Sequence, residues 1–184
     1  MKQGLLVCAT LLLLLVSPAT AAEMRIVELG VLGGYNFGDS SAGVNGDLIY
    51  GARAGYSFNL FHEIEVVYDR IDTTFDSVNL GRLDETFTTV SVDWVFNFSR
   101  PHGKVLPYTR LGLAWIDDEV TLEDGTPSSD SDEFFNFGGG LRAFTGDNFA
   151  FRFEGRFKWF NTFNVRQYNF ELTAGLTWIL GRRR

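Results

Sequence analysis

The last strand-like segment of the chain, residues 168–180, alternates between apolar residues and polar or small ones. Successive side chains of a β-strand point to opposite faces, so this period of two indicates a strand with one apolar face. Aromatic residues occupy both ends of that face and aliphatic residues its middle, which is typical of a strand between lipid and a small polar interior. The segment has 13 residues, and a tilted membrane-spanning strand needs about 9–11.

Seven earlier segments repeat this pattern, at about residues 25–37, 47–58, 63–69, 84–98, 105–116, 134–144 and 149–160. Short and long connections alternate between them, which predicts an all-β, eight-stranded, antiparallel up-and-down transmembrane β-barrel. An even strand number places both termini on one side of the membrane. We expect this side, with the three short turns, to be periplasmic and the four longer loops to lie outside.

A soluble barrel of the lipocalin type is the structural alternative, because alternation alone does not say which face is inside. Such a barrel would bury the apolar face and expose the polar one. Aromatic residues near both ends of the strands, with aliphatic residues between them, instead match the two interfaces of a bilayer. The sequence also offers no helix to cap a soluble barrel. We therefore favour the transmembrane barrel.

The first 22 residues are predicted to be a secretory signal peptide. They combine an early Lys2, an apolar run over residues 5–16 and small residues before the expected cleavage site. Cleavage after Ala21 is favoured, and cleavage after Ala22 is the alternative. Residues 23–184 would then form the barrel domain. The only cysteine, Cys8, lies in the signal segment, so we expect no disulfide in the mature chain.

The net charge of −7 argues against a nucleic-acid partner, since no basic patch stands out beyond the three arginines at 182–184. On the inward face of the predicted strands, seven carboxylates and six basic groups nearly balance. An eight-stranded barrel is just wide enough for side chains to fill it, so these groups are expected to pair as an interior charge network. A proton- or ion-conducting path is the alternative. The inward charged residues are Glu28, Arg53, Glu63, Glu65, Asp69, Asp93, Arg110, Arg142, Arg152, Glu154, Arg156, Lys158 and Glu171.

A predicted loop over residues 117–133 carries eight carboxylates and no basic residue. It lacks the spacing of a calcium-binding loop, and we expect a solvated loop that is able to meet a basic partner or a divalent cation. Its carboxylates are Asp117, Asp118, Glu119, Glu123, Asp124, Asp130, Asp132 and Glu133.

The last strand carries the most specific motif in the chain, Thr173-x-Gly175-x-x-Trp178-x-Leu180. The motif resembles the carboxy-terminal signal that the outer-membrane insertion machinery reads. Together with the repeated strands, it makes the chain similar to the small outer-membrane β-barrel domain family, which includes OmpA-like, OmpX-like and opacity-type barrels. The chain departs from that family by ending in Gly181 and three arginines instead of an aromatic residue.

The resemblance implies a multi-pass protein of the bacterial outer membrane. Its partners would be outer-membrane lipids and lipopolysaccharide, the insertion machinery, and an extracellular partner at the loops. Some barrels of this kind modify lipid A, but His62 and His102 are the only histidines, both in predicted turns, and neither lies in a His-x-Ser pair. We therefore expect no catalytic residues, no cofactor and no metal site.

The leading hypothesis is a non-enzymatic outer-membrane barrel with a closed interior, which acts in envelope structure or surface interaction through its external loops. A narrow, porin-like channel for small solutes is the alternative, and a lipid A-modifying enzyme is the third.

Overall fold

A computed structural model describes residues 26–37, 46–77, 81–98, 104–121, 127–162 and 165–181. The predicted signal peptide and the three terminal arginines lie outside these residues. Eight antiparallel strands form one closed barrel in chain order, which confirms the predicted fold class. Within the described residues, no helix is long and apolar enough to span a bilayer. The strands are β1 Ile26–Phe37, β2 Asp47–Ser57, β3 His62–Ser77, β4 Gly81–Asn97, β5 Val105–Thr121, β6 Pro127–Phe144, β7 Phe149–Thr162 and β8 Val165–Leu180.

The barrel closes where its first strand pairs with its last. β1 is hydrogen-bonded to β2 on one side and to β8 on the other, and Val27 lies opposite Leu180 at this seam. The strand edges of the barrel are therefore paired around its whole circumference, as closure of a membrane barrel requires.

Burial alternates along the strands with the predicted period. Outward residues such as Val31, Leu48 and Phe135 expose 62%, 68% and 61% of their surface, whereas inward Glu65 and Asp69 expose 0%. The apolar face thus points outward and the charged face inward. The soluble lipocalin-type alternative is wrong, since a soluble barrel places these faces the other way round.

Two of the predicted loops are wrong, because the strands continue through them. The expected connection between the predicted strands at 63–69 and 84–98 is largely strand, since β3 extends to Ser77 and β4 begins at Gly81. The expected acidic loop over residues 117–133 is largely a hairpin, with β5 running to Thr121 and β6 starting at Pro127. Beyond the membrane both faces of a strand meet water, so these segments have no apolar alternation to reveal them.

The short turns between the strands lie at the end of the barrel opposite these extended hairpins. The side-chain oxygen of Asn59 accepts hydrogen bonds from the backbone N–H groups of Phe61 and His62, at 2.8 and 2.9 Å. Gly146 adopts a φ of 118° between β6 and β7, which is a conformation that glycine takes without steric cost. We call this the short-turn end and the other the long-loop end.

Candidate functional site: the charged barrel interior

The predicted interior charge network lies in the lumen, and all eight strands contribute to it. Each of its residues exposes no more than 5% of its surface. Geometry divides the network into three clusters along the barrel axis, each built from side chains that face one another across the lumen. Its thirteen members are Glu28, Arg53, Glu63, Glu65, Asp69, Asp93, Arg110, Arg142, Arg152, Glu154, Arg156, Lys158 and Glu171.

The central cluster holds three guanidinium groups and three carboxylates. Arg110 contacts Oε1 of Glu154 at 2.6 Å and Oε1 of Glu65 at 3.2 Å, and it also pairs with Asp93. Its members alternate in charge, so each cation lies between anions. The full set is Arg53, Glu65, Asp93, Arg110, Arg152 and Glu154.

The long-loop-end cluster contains two cations and two carboxylates. Arg156 lies 2.5 Å from Asp69 and 2.5 Å from Glu171. Lys158 bridges the same two carboxylates, at 3.1 Å and 2.6 Å, and approaches Oγ1 of Thr89 at 3.4 Å. Every charge in this cluster has two opposite neighbours.

The short-turn-end cluster is unbalanced, with one guanidinium shared by two carboxylates. Arg142 lies 3.1 Å from Glu28 and 2.7 Å from Glu63. Oε2 of Glu28 and Oε1 of Glu63 are buried without a hydrogen-bond partner in the described part of the chain. The one excess negative charge of the three clusters therefore lies at this end.

Tyr108 contacts arginines of two of the clusters and was not predicted as a member of the network. Its ring lies between Arg142 and Arg152, whose guanidinium carbons are 4.9 and 4.7 Å from the ring centroid. Guanidinium groups at these distances are attracted to the face of an aromatic ring. The phenol therefore holds both arginines in fixed positions.

The ion pairs of the interior link strands across the lumen and therefore bear on the stability of the barrel. Each charged group of the three clusters pairs with an opposite charge, and breaking such a buried pair by removing one partner is strongly destabilising. Among the described residues, no group of three or more potential ligands could hold a metal ion.

His62 is not the solvated turn residue that its position in the sequence suggests. It is the first residue of β3, and its Nδ1 accepts a hydrogen bond of 3.0 Å from Nε1 of Trp94. Its ring also stacks on Phe58. The imidazole thus belongs to the aromatic belt outside the barrel. His102 lies outside the described residues.

The residues of the predicted assembly signal all lie on β8. Thr173 is buried, Gly175 packs against the backbone of β1, and Trp178 is exposed on the outward face. Leu180 pairs with Val27 at the seam. The signal therefore coincides with the strand that closes the barrel.

A polar cluster on the outward face was also missed, because two of its members lie in the segment taken for a loop or at its border. Asp72 accepts hydrogen bonds from the hydroxyl of Tyr50 at 2.7 Å and from Nε of Arg70 at 2.8 Å. The hydroxyl of Thr86 lies 3.2 Å from the same carboxylate. These residues come together only through the register of β2, β3 and β4.

Several solved structures share this fold. Neisserial surface protein A matches with a TM-score of 0.69 and 18% identity over 83% of this chain and 96% of its own. The N-terminal β-barrel domain of OprF from Pseudomonas aeruginosa gives 0.64 and 16%, over 86% and 100%. Ail of Yersinia pestis, in complex with the heparin analogue sucrose octasulfate, gives 0.51 and 18%, over 83% and 97%.

No curated protein matches the sequence significantly. The sequence profile described as "Outer membrane protein beta-barrel domain" matches residues 6–177, which is most of the chain. The closed eight-stranded barrel, its apolar exterior and its charged interior agree with this match. The chain therefore belongs to the outer membrane protein β-barrel domain family and is a protein of the bacterial outer membrane.

Proposed function

We propose that this protein is a non-enzymatic outer-membrane barrel with a closed interior, which serves surface interaction through its long-loop end. The observation that carries the proposal is the filled lumen, in which the charged side chains of three clusters pair across the axis. An eight-stranded barrel leaves little room beyond its side chains. Bulk solute would therefore have to displace buried ion pairs in order to pass.

The long-loop end supplies the surface for interaction. There β3 and β4 form one extended hairpin and β5 and β6 another, and β4 pairs with β5 up to Asp84 and Thr121. A rigid scaffold that presents such hairpins is a common basis for recognition. The sequence from residue 117 to 133, most of which belongs to β5 and β6, contains eight carboxylates and no basic residue.

The charge of this hairpin favours a basic partner. Ail, one of the similar structures, was solved with the heparin analogue sucrose octasulfate, which is a polyanion. The carboxylates of residues 117–133 would repel a sulfated ligand, whereas they complement a lysine- or arginine-rich surface. The proposed role is thus contact with basic protein surfaces outside the cell.

Conductance across a planar bilayer tests the closed interior. The refolded mature protein, checked by heat-modifiable migration on a gel, is expected to give no conductance steps. The Arg110→Gln and Glu154→Gln variants remove groups that face each other at 2.6 Å and serve as comparisons. Discrete steps in the wild-type protein that change in these variants would contradict a closed barrel and support a narrow channel.

Labelling of intact cells tests the orientation, with both termini periplasmic. Ser129→Cys places a thiol on the β5–β6 hairpin, and Asp147→Cys places one in a short turn. Removal of the predicted signal peptide leaves no other cysteine, so each thiol reports alone. A membrane-impermeant maleimide should label Ser129→Cys in intact cells and Asp147→Cys only after permeabilisation. The reverse pattern would invert the topology.

Binding to defined surfaces tests the interaction. The protein in zwitterionic vesicles should adhere to immobilised polylysine and not to immobilised heparin. Neutralising Asp117 and Glu133 on the outward face should weaken adhesion. Equal adhesion to both surfaces would contradict recognition by charge.

A further inference from the structure

Arg70 is an exception on the outside of the barrel. Among the outward-facing strand residues whose side chains the structure describes, it is the only one with a positive charge. A charged side chain on the lipid face is strongly destabilising at the bilayer midplane and costs little near the interface. The depth of Arg70 in the membrane and its hydrogen-bond partners therefore decide whether its charge can bind an anionic ligand.

Arg70 lies at the level of the interface. In the sheet it is opposite Tyr50 on β2 and Thr88 on β4, one outward position beyond Tyr68. Tyr50 and Tyr68 are both exposed on the outward face, and aromatic side chains of this kind sit at the depth of lipid headgroups. The guanidinium thus lies where headgroup phosphates are.

Neighbouring side chains hold the guanidinium in a fixed position. Asp72 accepts the N–H of Arg70 Nε at 2.8 Å, and the hydroxyls of Tyr50 and Thr86 lie 2.7 and 3.2 Å from the same carboxylate. In the described part of the chain, the carboxylate of Asp72 is the only polar partner of the Arg70 side chain. Among the described residues, none forms a hydrogen bond with its two terminal nitrogens, and the side chain is 42% exposed.

This arrangement suits one kind of ligand. The terminal edge of a guanidinium donates two parallel hydrogen bonds, which match two oxygens of a phosphate group. Because Asp72 holds Nε, little side-chain freedom is lost when a phosphate binds. We propose that Arg70, positioned by Asp72 and Tyr50, binds the phosphate group of a membrane lipid at the long-loop end.

The identity of the lipid rests on the orientation proposed above. If the long-loop end faces outside, the adjacent leaflet is the outer one, and the phosphates of lipid A are the ligands. The Arg70 site then ties the protein to lipopolysaccharide on the β2–β4 side of the barrel.

A titration tests the site. Diphosphorylated lipid A is added to the full-length mature protein in zwitterionic micelles, and the apparent Kd is measured by phosphorus NMR. Arg70→Gln should weaken binding about tenfold or more, since it removes the positive charge and both terminal donors of the guanidinium. Arg70→Lys should fall between the two, because it keeps the charge and loses the paired donors. Lys104→Gln, at an exposed cation of the short-turn end, is the matched control and should bind like wild type.

Phosphatidylglycerol is titrated in parallel to separate the sources of the phosphate. If Arg70→Gln weakens the binding of both lipids, the site is confirmed as one for lipid phosphates in general. Equal binding of lipid A by wild type and a folded Arg70→Gln variant would overturn the proposal. Micelles have no sides, so a negative result here is independent of the labelling result on topology.

Discussion

Tyr108 on β5 donates its hydroxyl proton to Oε2 of Glu154 on β7, at a distance of 2.6 Å. The same hydroxyl oxygen accepts a hydrogen bond from Nε of Arg152 at 3.2 Å. The contact passes over the intervening strand β6, where Gly138 and Gly140 present no side chain. The phenol therefore links β5 to β7, two strands that are not neighbours in the barrel, through the central cluster.

Removing this hydroxyl should destabilise the barrel without opening it. Tyr108→Phe keeps the ring between Arg142 and Arg152 and removes both hydrogen bonds. Hydrogen bonds to charged groups contribute about 1.5–3 kcal/mol each, so we expect a loss within or above that range. Urea unfolding in lipid vesicles measures it. Tyr56→Phe, at an exposed outward tyrosine, should change stability little. Equal losses of unfolding free energy in the two variants would show that the hydrogen bonds of Tyr108 do not stabilise the barrel.

The three clusters should respond unequally to loss of a carboxylate. Glu171→Gln leaves Arg156 and Lys158 with one carboxylate between them, and breaking a buried pair in this way costs about 3–5 kcal/mol. Glu63→Gln instead leaves Arg142 with one carboxylate and removes the excess charge. We expect it to cost clearly less in the same unfolding experiment. The opposite order would refute the charge count.

Glycines on the inward face should be intolerant of a methyl group. A Cβ at Gly140 would lie 2.1 Å from the carbonyl oxygen of Phe153 and 2.8 Å from the hydroxyl of Tyr108, whereas one at Gly33 has no neighbour nearer than 3.8 Å. Overpacking costs about 1–3 kcal/mol, occasionally more. Gly140→Ala should therefore lower the heat-modifiable, folded fraction on a gel, and Gly33→Ala should leave it unchanged.

Acid should cancel the contribution of Asp72 to the stability of the folded protein. The Tyr50 hydroxyl and then Arg70 hold the pKa of this carboxyl, which lies beyond the aromatic belt, below its usual range. A lowered folded-state pKa stabilises the protein above the unfolded pKa of about 3.9 and loses this effect as the pH falls through the folded value. The difference in Tm between wild type and Asp72→Asn is measured in zwitterionic micelles. It should be constant from neutral pH down to the unfolded pKa of about 3.9 and should shrink at lower pH. A difference that grows on acidification would contradict this assignment.

The assembly motif should matter in the cell and not in vitro. Trp178→Ala removes the aromatic residue of the motif, and Trp159→Ala removes a comparable exposed ring at the other end of the barrel. Only Trp178→Ala should slow the appearance of folded protein in the outer membrane. Both variants should refold into vesicles at similar rates, so a shared defect there would point to lost lipid contact instead of a recognition signal.

The lumen could be predicted because the membrane imposes a strict rule on each strand. Lipid on the outside demands an apolar residue at every second position, and the residues between, such as Arg53 and Glu171, must then face inward. The pairing within the lumen could not be predicted. Arg152 on β7 meets Glu65 on β3 across the axis, and such contacts depend on strand tilt and side-chain reach.

The missed features lie where this rule no longer applies. Beyond the rim both faces of β5 and β6 are polar, so Asp117 and Ser131 read as loop although they pair within strands. The cluster at Asp72 depends on the register that places Tyr50 opposite Arg70. A single sequence does not encode that register in any local pattern.

The pairing of β1 with β8 is the one strand pair of the described barrel that joins residues far apart in the sequence. Seven strand pairs join neighbours in sequence, but Val27 pairs with Leu180 across almost the whole described chain. Contacts of such separation form late and slowly, because the entropy of closing a long loop must be overcome first. Until β8 has been synthesised, β1 remains an unpaired edge and a template for aggregation. The newly made polypeptide therefore has to be kept apart from other copies until its last strand is available to close the barrel.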